Sequence, residues 1–167
     1  DGPRTPFEEH WSEGIATVRD SAGRVRLHFT VPEEARGNFE RILAERRARW
    51  ERDGTRLLVD FSAQDRSTDT PAVDPENRPF RLDDGSILFR PGGHGSLLRN
   101  LERLHADLVF VKNIDNVVPE HRRAPTLRWK RLLGGRLVAL QDRIHAVLRR
   151  LDAGDRADAL LTEGAAL

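Results

Sequence analysis

The chain has 167 residues, 38% hydrophobic and 33% charged, enough to bury the core of one domain and too apolar for a disordered segment. It has no cysteine, which excludes a disulfide framework and any thiolate nucleophile or metal ligand, and a net charge of +1 makes no whole-molecule case for nucleic acid. No apolar run approaches the ~20 residues of a membrane span and no signal-peptide pattern occurs, so a cytoplasmic enzyme or binding domain is expected, with no membrane partner.

Residues 1–20 read as a loop and a short helix, with Pro6 in its first turn and Glu8 and Glu9 at its positive end. Arg24–Val31 alternates polar and apolar residues and then turns apolar, as a strand entering a core does. Pro32-Glu33-Glu34 opens a helix whose apolar side carries Phe39, Ile42 and Leu43, and Asp53-Gly54 ends it. Arg56–Ser62 is a second strand. The polar stretch Gln64–Pro79 is long for a plain connection and is expected to be functional or draped over the sheet. Phe80–Phe89 predicts a hairpin turning at Asp83-Asp84-Gly85, and Gly95–Leu104 a short helix.

Asp107–Lys112 (DLVFVK) predicts a buried strand, a parallel neighbour or near-neighbour of Arg56–Ser62. From about Pro125 to Asp152 one long helix repeats apolar residues every three or four positions, with Leu133, Leu137, Leu140 and Ile144 expected to be buried, Arg143 and Arg150 exposed, and Gly134-Gly135 closely packed or bent. Residues 1–154 are read as a single α/β domain and 155–167 as a small polar tail. Alternating strands and helices argue for a mainly parallel sheet with helices on its faces, a three-layer sandwich.

Two segments carry the candidate chemistry. Pro91-Gly92-Gly93-His94-Gly95 lies between a strand and a helix; glycines there allow positive φ and close approach of a ligand to backbone amides. Arg90 stands at its edge, suited to a bidentate phosphate contact, and His94 can donate to a phosphate or sugar hydroxyl. The competing reading is a tight turn with an incidental His. One helix and one strand later come Lys112-Asn113-Ile114-Asp115-Asn116, where Asp115 offers a hard oxygen ligand for Mg²⁺ and Lys112 a phosphate contact. Of 28 basic residues only Lys112 and Lys130 are lysines, so each is a candidate for a site that needs a compact point charge. Asp115 alone suits a turn; both segments on one α/β unit favour a shared site.

The segments FSAQDRSTDT, RPFRLDDGSILFRPGGHGSLLRNL and DLVFVKNIDNVVPE closely resemble the bacterial domain-of-unknown-function family 4301 over most of residues 4–152. A more distant likeness is to UDP-sugar pyrophosphorylases, which carry a strand ending in Gln, a glycine-rich loop, and a strand ending in V-D-N. Here these resemble Phe61–Gln64, Pro91–Gly95 and Ile114–Asn116. The likeness implies a nucleotide-diphospho-sugar transferase fold, with Gln64 and the loop on the nucleoside and Asp115 on Mg²⁺; Asn113 and Asn116, beside Asp115, are further candidates for the nucleotide site. His94 stands where that loop has Asn, and Ser96 where a second Gly is usual. Those enzymes also need an N-terminal triphosphate loop, and the chain has no Met; it is therefore expected to be an internal piece of a longer protein, lacking the first strand.

The leading expectation is a nucleotidyltransferase-like domain binding a nucleotide or nucleotide-sugar with Mg²⁺, with Asp115 and Lys112 in the catalytic roles. Whether it turns over is left open. The alternative is a non-catalytic nucleotide- or sugar-phosphate-binding module. Nucleic-acid binding is the least favoured, resting on nine basic residues against Glu120 and Asp142 within residues 119–151. A homo-oligomer or a missing N-terminal segment of the same protein would be the macromolecular partner.

Overall fold

The computed structural model of the chain describes residues 3–167; the start of the loop expected at residues 1–20 lies outside them. Its elements are mixed α and β, and they fall into two compact units.

The larger unit, Val18–Asn116, is built on a parallel pair of strands, β1 (Arg24–Thr30) and β2 (Arg56–Ser62), in register from Arg24↔Arg56 to Thr30↔Ser62. Both strands lie where the sequence reading puts them, the first one residue shorter. The crossover is a turn of 3₁₀ helix followed by α2 (Arg36–Arg46), as a parallel connection requires. Alternation sorts the side chains. Val25 and Leu57 are fully buried and Phe61 nearly so, while Phe29 and Phe39 bring their rings to 6.1 and 6.4 Å from that of Phe61. Each such side chain contributes about 1.5–3 kcal/mol of burial. The opposite face carries His28, Thr30, Asp60 and Ser62 and is polar. The turns entering the two strands touch at Gly23, where φ is +77° and a Cβ would stand 2.0 Å from the Gly54 carbonyl oxygen, so only glycine fits.

Beyond β2 the chain makes a second small sheet, β3 (Thr70–Pro71) antiparallel to β4 (Phe89–Arg90). The expected hairpin lies between them, closed by Leu82 and Ser86 and turning on Gly85 at φ +81°. A short helix, α3 (Leu98–Glu102), follows the glycine loop.

Asp107–Lys112 departs from expectation. It is not a strand: the large sheet holds β1 and β2, and Val109 and Val111 are 39% and 74% exposed. An apolar run favours extended backbone, but a strand exists only where a neighbour completes the ladder. Among the described residues no such neighbour pairs with it.

The other unit comprises the N-terminal stretch to Thr17 together with Val117–Leu167. Its first helix, α1 (Pro6–Val18), opens on a capping box. The Thr5 hydroxyl accepts from the Glu8 amide at 3.3 Å and the Glu8 carboxylate accepts from the Thr5 amide at 3.0 Å. Helix α4 (Ala124–Asp152) runs for 29 residues, close to the expected bounds, and α5 (Asp158–Ala165) occupies the C-terminal stretch. Lys130 Nζ pairs with buried Glu13 at 2.5 Å, Arg123 pairs with Glu9 and donates to Ser12 Oγ at 2.7 Å, and Arg131 reaches the Ala16 carbonyl at 3.3 Å. These contacts advance along both helices together, so α1 and the first turns of α4 run side by side.

Leu133, Leu137 and Ile144 are 66%, 51% and 38% exposed, against the expectation of burial, and Leu140 is half-buried. The reason is length. Helix α4 spans about 44 Å, whereas α5 has eight residues, and what it covers is Val147, which lies 3.4 Å from the position of a Cβ on Gly164. Arg143 and Arg150 are exposed as expected, and Gly134 is buried, in keeping with close packing, while Gly135 faces open space. No described helix is long and apolar enough to cross a membrane.

Candidate functional site

The residues of the glycine loop and the acidic turn, with Gln64, all fall in the unit Val18–Asn116. Ser62 ends β2, and the chain leaving it is tied at once to the helix that follows the glycine loop. Asn100 of α3, 4% exposed, donates from Nδ2 to Ser62 Oγ at 2.8 Å and to the Ala63 carbonyl at 2.7 Å. Arg103 reaches Asp65 at 3.0 Å, Arg99 reaches Ser67 Oγ at 2.9 Å, and Ser96 Oγ donates to the Thr68 carbonyl at 3.3 Å. The first part of the polar stretch after β2 is thus clamped by α3. Asp65 holds its own turn by accepting from the Ser67 amide; hydrogen bonds from Ser67 and Arg103 keep its carboxyl below the ordinary carboxylate range. Gln64 donates to Asp69 Oδ1 at 3.3 Å, which leaves its amide oxygen available.

The glycine loop corrects one expectation. Gly92, Gly93 and Gly95 do not take positive φ; Gly93 is extended. Gly92 is needed for space instead: a Cβ there would stand 2.1 Å from Ser96 Oγ and 3.2 Å from the Thr68 carbonyl oxygen. Gly93 and Gly95 have open space where a side chain would stand. The helix after the loop begins as a 3₁₀ turn over His94–Leu97 and is short, so its dipole adds little. Arg90, at the end of β4, is exposed and its guanidinium has no protein partner among the described residues.

Asn113–Asn116 is a 3₁₀ turn closed by the Asn116 amide on the Asn113 carbonyl at 3.1 Å. One contact joins it to the glycine loop: Asn113 Nδ2 lies 3.1 Å from His94 Nε2, so the ring nitrogen accepts and the other carries the proton. Asp115 is exposed and accepts no protein hydrogen bond among the described residues. Lys112 is half-buried. The structure therefore brings His94 and Asn113 together, and places Gln64, Arg90, Asp115 and Asn116 on the surface of the same unit. No group of three or more His, Asp or Glu suited to a metal stands among the described residues.

Three side chains escaped sequence reading: His28, Ser62 and Asn100. His28 and Ser62 are 34 residues apart and meet because β1 and β2 pair in register, which no local pattern reveals. Of the basic residues within 119–151, Arg123, Lys130, Arg131 and Arg150 are engaged within their own unit, which thins the stripe weighed for nucleic acid. Lys130 thereby has a structural use, neutralising a carboxylate that is 2% exposed.

A family model described as "Domain of unknown function (DUF4301)" matches residues 1–166, and the chain belongs to that family. No curated protein and no solved structure matches it.

Proposed function

We propose that this DUF4301 chain binds a nucleotide or nucleotide-sugar with Mg²⁺, through chemistry of the UDP-sugar pyrophosphorylase type in the full-length protein. The observation that carries the reading is the Asn113–His94 contact, which joins the glycine loop to the acidic turn across 19 residues of sequence. In this reading the Gly93 and Gly95 amides and Arg90 take phosphate oxygens, Lys112 adds positive charge, and Gln64 presents its amide oxygen to a base N–H. Asn116 supports the turn that presents Asp115.

The donor set suits Mg²⁺, which takes one or two carboxylates and completes its shell with water and substrate phosphates; Asp115 has its lone pairs free for that purpose. Bound there, the ion supplies charge neutralisation on the phosphates. The residues otherwise position and neutralise, and no covalent intermediate is needed. The reading carries with it the three-layer, nucleotide-diphospho-sugar transferase type of fold and a cytoplasmic location.

Calorimetric titration of UTP and UDP-sugars with and without Mg²⁺ tests the site. Asp115→Asn keeps the turn chemistry and removes the charge. It is expected to lower Mg²⁺-dependent affinity at least about tenfold and to leave stability within about 1 kcal/mol. Unchanged affinity in that variant would refute the site. Turnover of UTP and a sugar 1-phosphate by the full-length protein separates a transferase from a non-catalytic binding module.

A further inference from the structure

The polar face of the β1–β2 pair holds a group of side chains that the nucleotide reading does not use. In-register pairing sets His28 against Asp60 and Thr30 against Ser62. His28 Nε2 lies 2.8 Å from Ser62 Oγ, and His28 Nδ1 lies 3.5 Å from Asp60 Oδ2. With the imidazole proton assigned to Nδ1, facing the carboxylate, Nε2 accepts from the Ser62 hydroxyl. Asp60 is itself held by its other oxygen, which accepts from the Phe61 amide at 2.9 Å. Asn100 Nδ2 donates to Ser62 Oγ at 2.8 Å from the side of α3.

We propose that Ser62 and His28 are the nucleophile and general base of an acyl-transfer site for small carboxylic esters, with Asp60 orienting the imidazole and Asn100 donating to the developing oxyanion. The proposal stands apart from the nucleotide reading.

Three observations support it. A nucleophile within hydrogen-bond reach of a base that a third group orients is the signature of an activated hydroxyl. Ser62 is the last residue of a parallel strand, at the end where open α/β sheets place their ligands, and its hydroxyl is only half-buried. Asn100 is buried, and its Oδ1 has no hydrogen-bond partner among the described residues. Its N–H₂ is used in full, one N–H on Ser62 Oγ at 2.8 Å and the other on the Ala63 carbonyl at 2.7 Å, so the amide fixes the hydroxyl at the end of the strand. The carboxylate limits the reactivity: Asp60 is 80% exposed and stands beyond hydrogen-bond length, so it orients the imidazole weakly. That restricts the substrate to esters, whose leaving groups depart more easily than those of amides.

In the reaction an oxygen lone pair of Ser62 forms a bond to the ester carbon while the hydroxyl proton passes to His28 Nε2. The carbonyl π electrons move to its oxygen, which accepts the Asn100 N–H that Ser62 Oγ gives up on forming the new bond, the other N–H staying on the Ala63 carbonyl. The intermediate collapses with cleavage of the bond to the alkoxy oxygen, which takes the proton from Nε2 and leaves as the alcohol. Water then attacks the acyl-serine, its proton passing through His28 to Ser62 Oγ, and the carboxylic acid is released. No redox partner is required.

The test is labelling of the full chain with a fluorophosphonate, whose phosphorus Ser62 attacks with loss of fluoride, followed by mass spectrometry of the peptides. The expected result is an adduct on Ser62 that is lost in Ser62→Ala and formed at least about tenfold more slowly in His28→Gln, the lower edge of general-base effects. Absence of an adduct on Ser62, or an equal rate in a folded His28→Gln protein, would overturn the proposal. Should His28→Gln fail to fold, the wild-type chain decides: labelling of Ser62 at least about tenfold faster than of the exposed Ser67 supports activation, and an equal or slower rate refutes it.

Discussion

Gly92→Ala separates a glycine kept for space from one kept for backbone conformation. The backbone at Gly92 is not left-handed, so alanine is permitted there and would by itself stabilise by about 0.4–1 kcal/mol through the unfolded chain. The added Cβ, however, would stand 2.1 Å from Ser96 Oγ, which must rotate away and give up its hydrogen bond to the Thr68 carbonyl. That bond is worth about 0.5–1.5 kcal/mol, and the remaining 3.2 Å contacts with Ser96 Cβ and the Thr68 oxygen force a further small shift. The net expectation is a loss of about 1 kcal/mol. In a Ser96→Ala background the obstructing oxygen is gone, and the same substitution is expected to cost little or nothing. Urea unfolding of wild type, both single variants and the double variant gives the coupling directly, with about 1 kcal/mol expected. Gly95→Ala, which meets open space, is the control and should stay within about 0.5 kcal/mol of wild type. An equal cost for Gly92→Ala in both backgrounds would refute the packing argument.

Lys130→Met leaves Glu13, 2% exposed, without its ammonium and should cost about 3–5 kcal/mol; adding Glu13→Gln should restore much of the loss in thermal unfolding. Glu51 is held below its ordinary 4.5 by a hydrogen bond from Arg47, with a second from the Leu57 amide. A lowered folded-state value gives stability that is present above the unfolded value and lost as pH falls through the folded one. Glu51→Gln should therefore lower the urea midpoint at pH 7, and the difference from wild type should shrink as pH drops below about 4; a difference that is constant with pH would count against it. Leu137→Ser, on a residue 51% exposed, should change the free energy of unfolding by no more than about 0.5 kcal/mol, and a loss of 2 kcal/mol or more would show that the residue is covered in solution.

The elements that can be read from sequence are those whose signal is local. Alternation located β1 and β2, the Asp53-Gly54 and Asp83-Asp84-Gly85 turns were marked by residues that tolerate positive φ, and a 3.6-residue period located α4. For the candidate site, the two motifs were legible as residue types at loops. Their meeting through His94 and Asn113 was not, because it depends on how residues 91–116 fold back on themselves. The glycines were recognised while the reason for Gly92 was misjudged, since a requirement for space is visible only when Ser96 and Thr68 are in place.

The sequence alone thus located β1, β2, the hairpin turn and α4, because propensity, capping and turn chemistry act over a few residues. It also carried the family membership, which rests on the chain as a string. Tertiary structure alone decided what those elements met. Asp107–Lys112 has the composition of a strand and lacks a ladder partner, and the apolar stripe of α4 has the right period and lacks enough helix to cover it. His28, Ser62 and Asn100 converge through strand register and the docking of α3. Burial and pairing are properties of two surfaces at once, and a single segment specifies only its own.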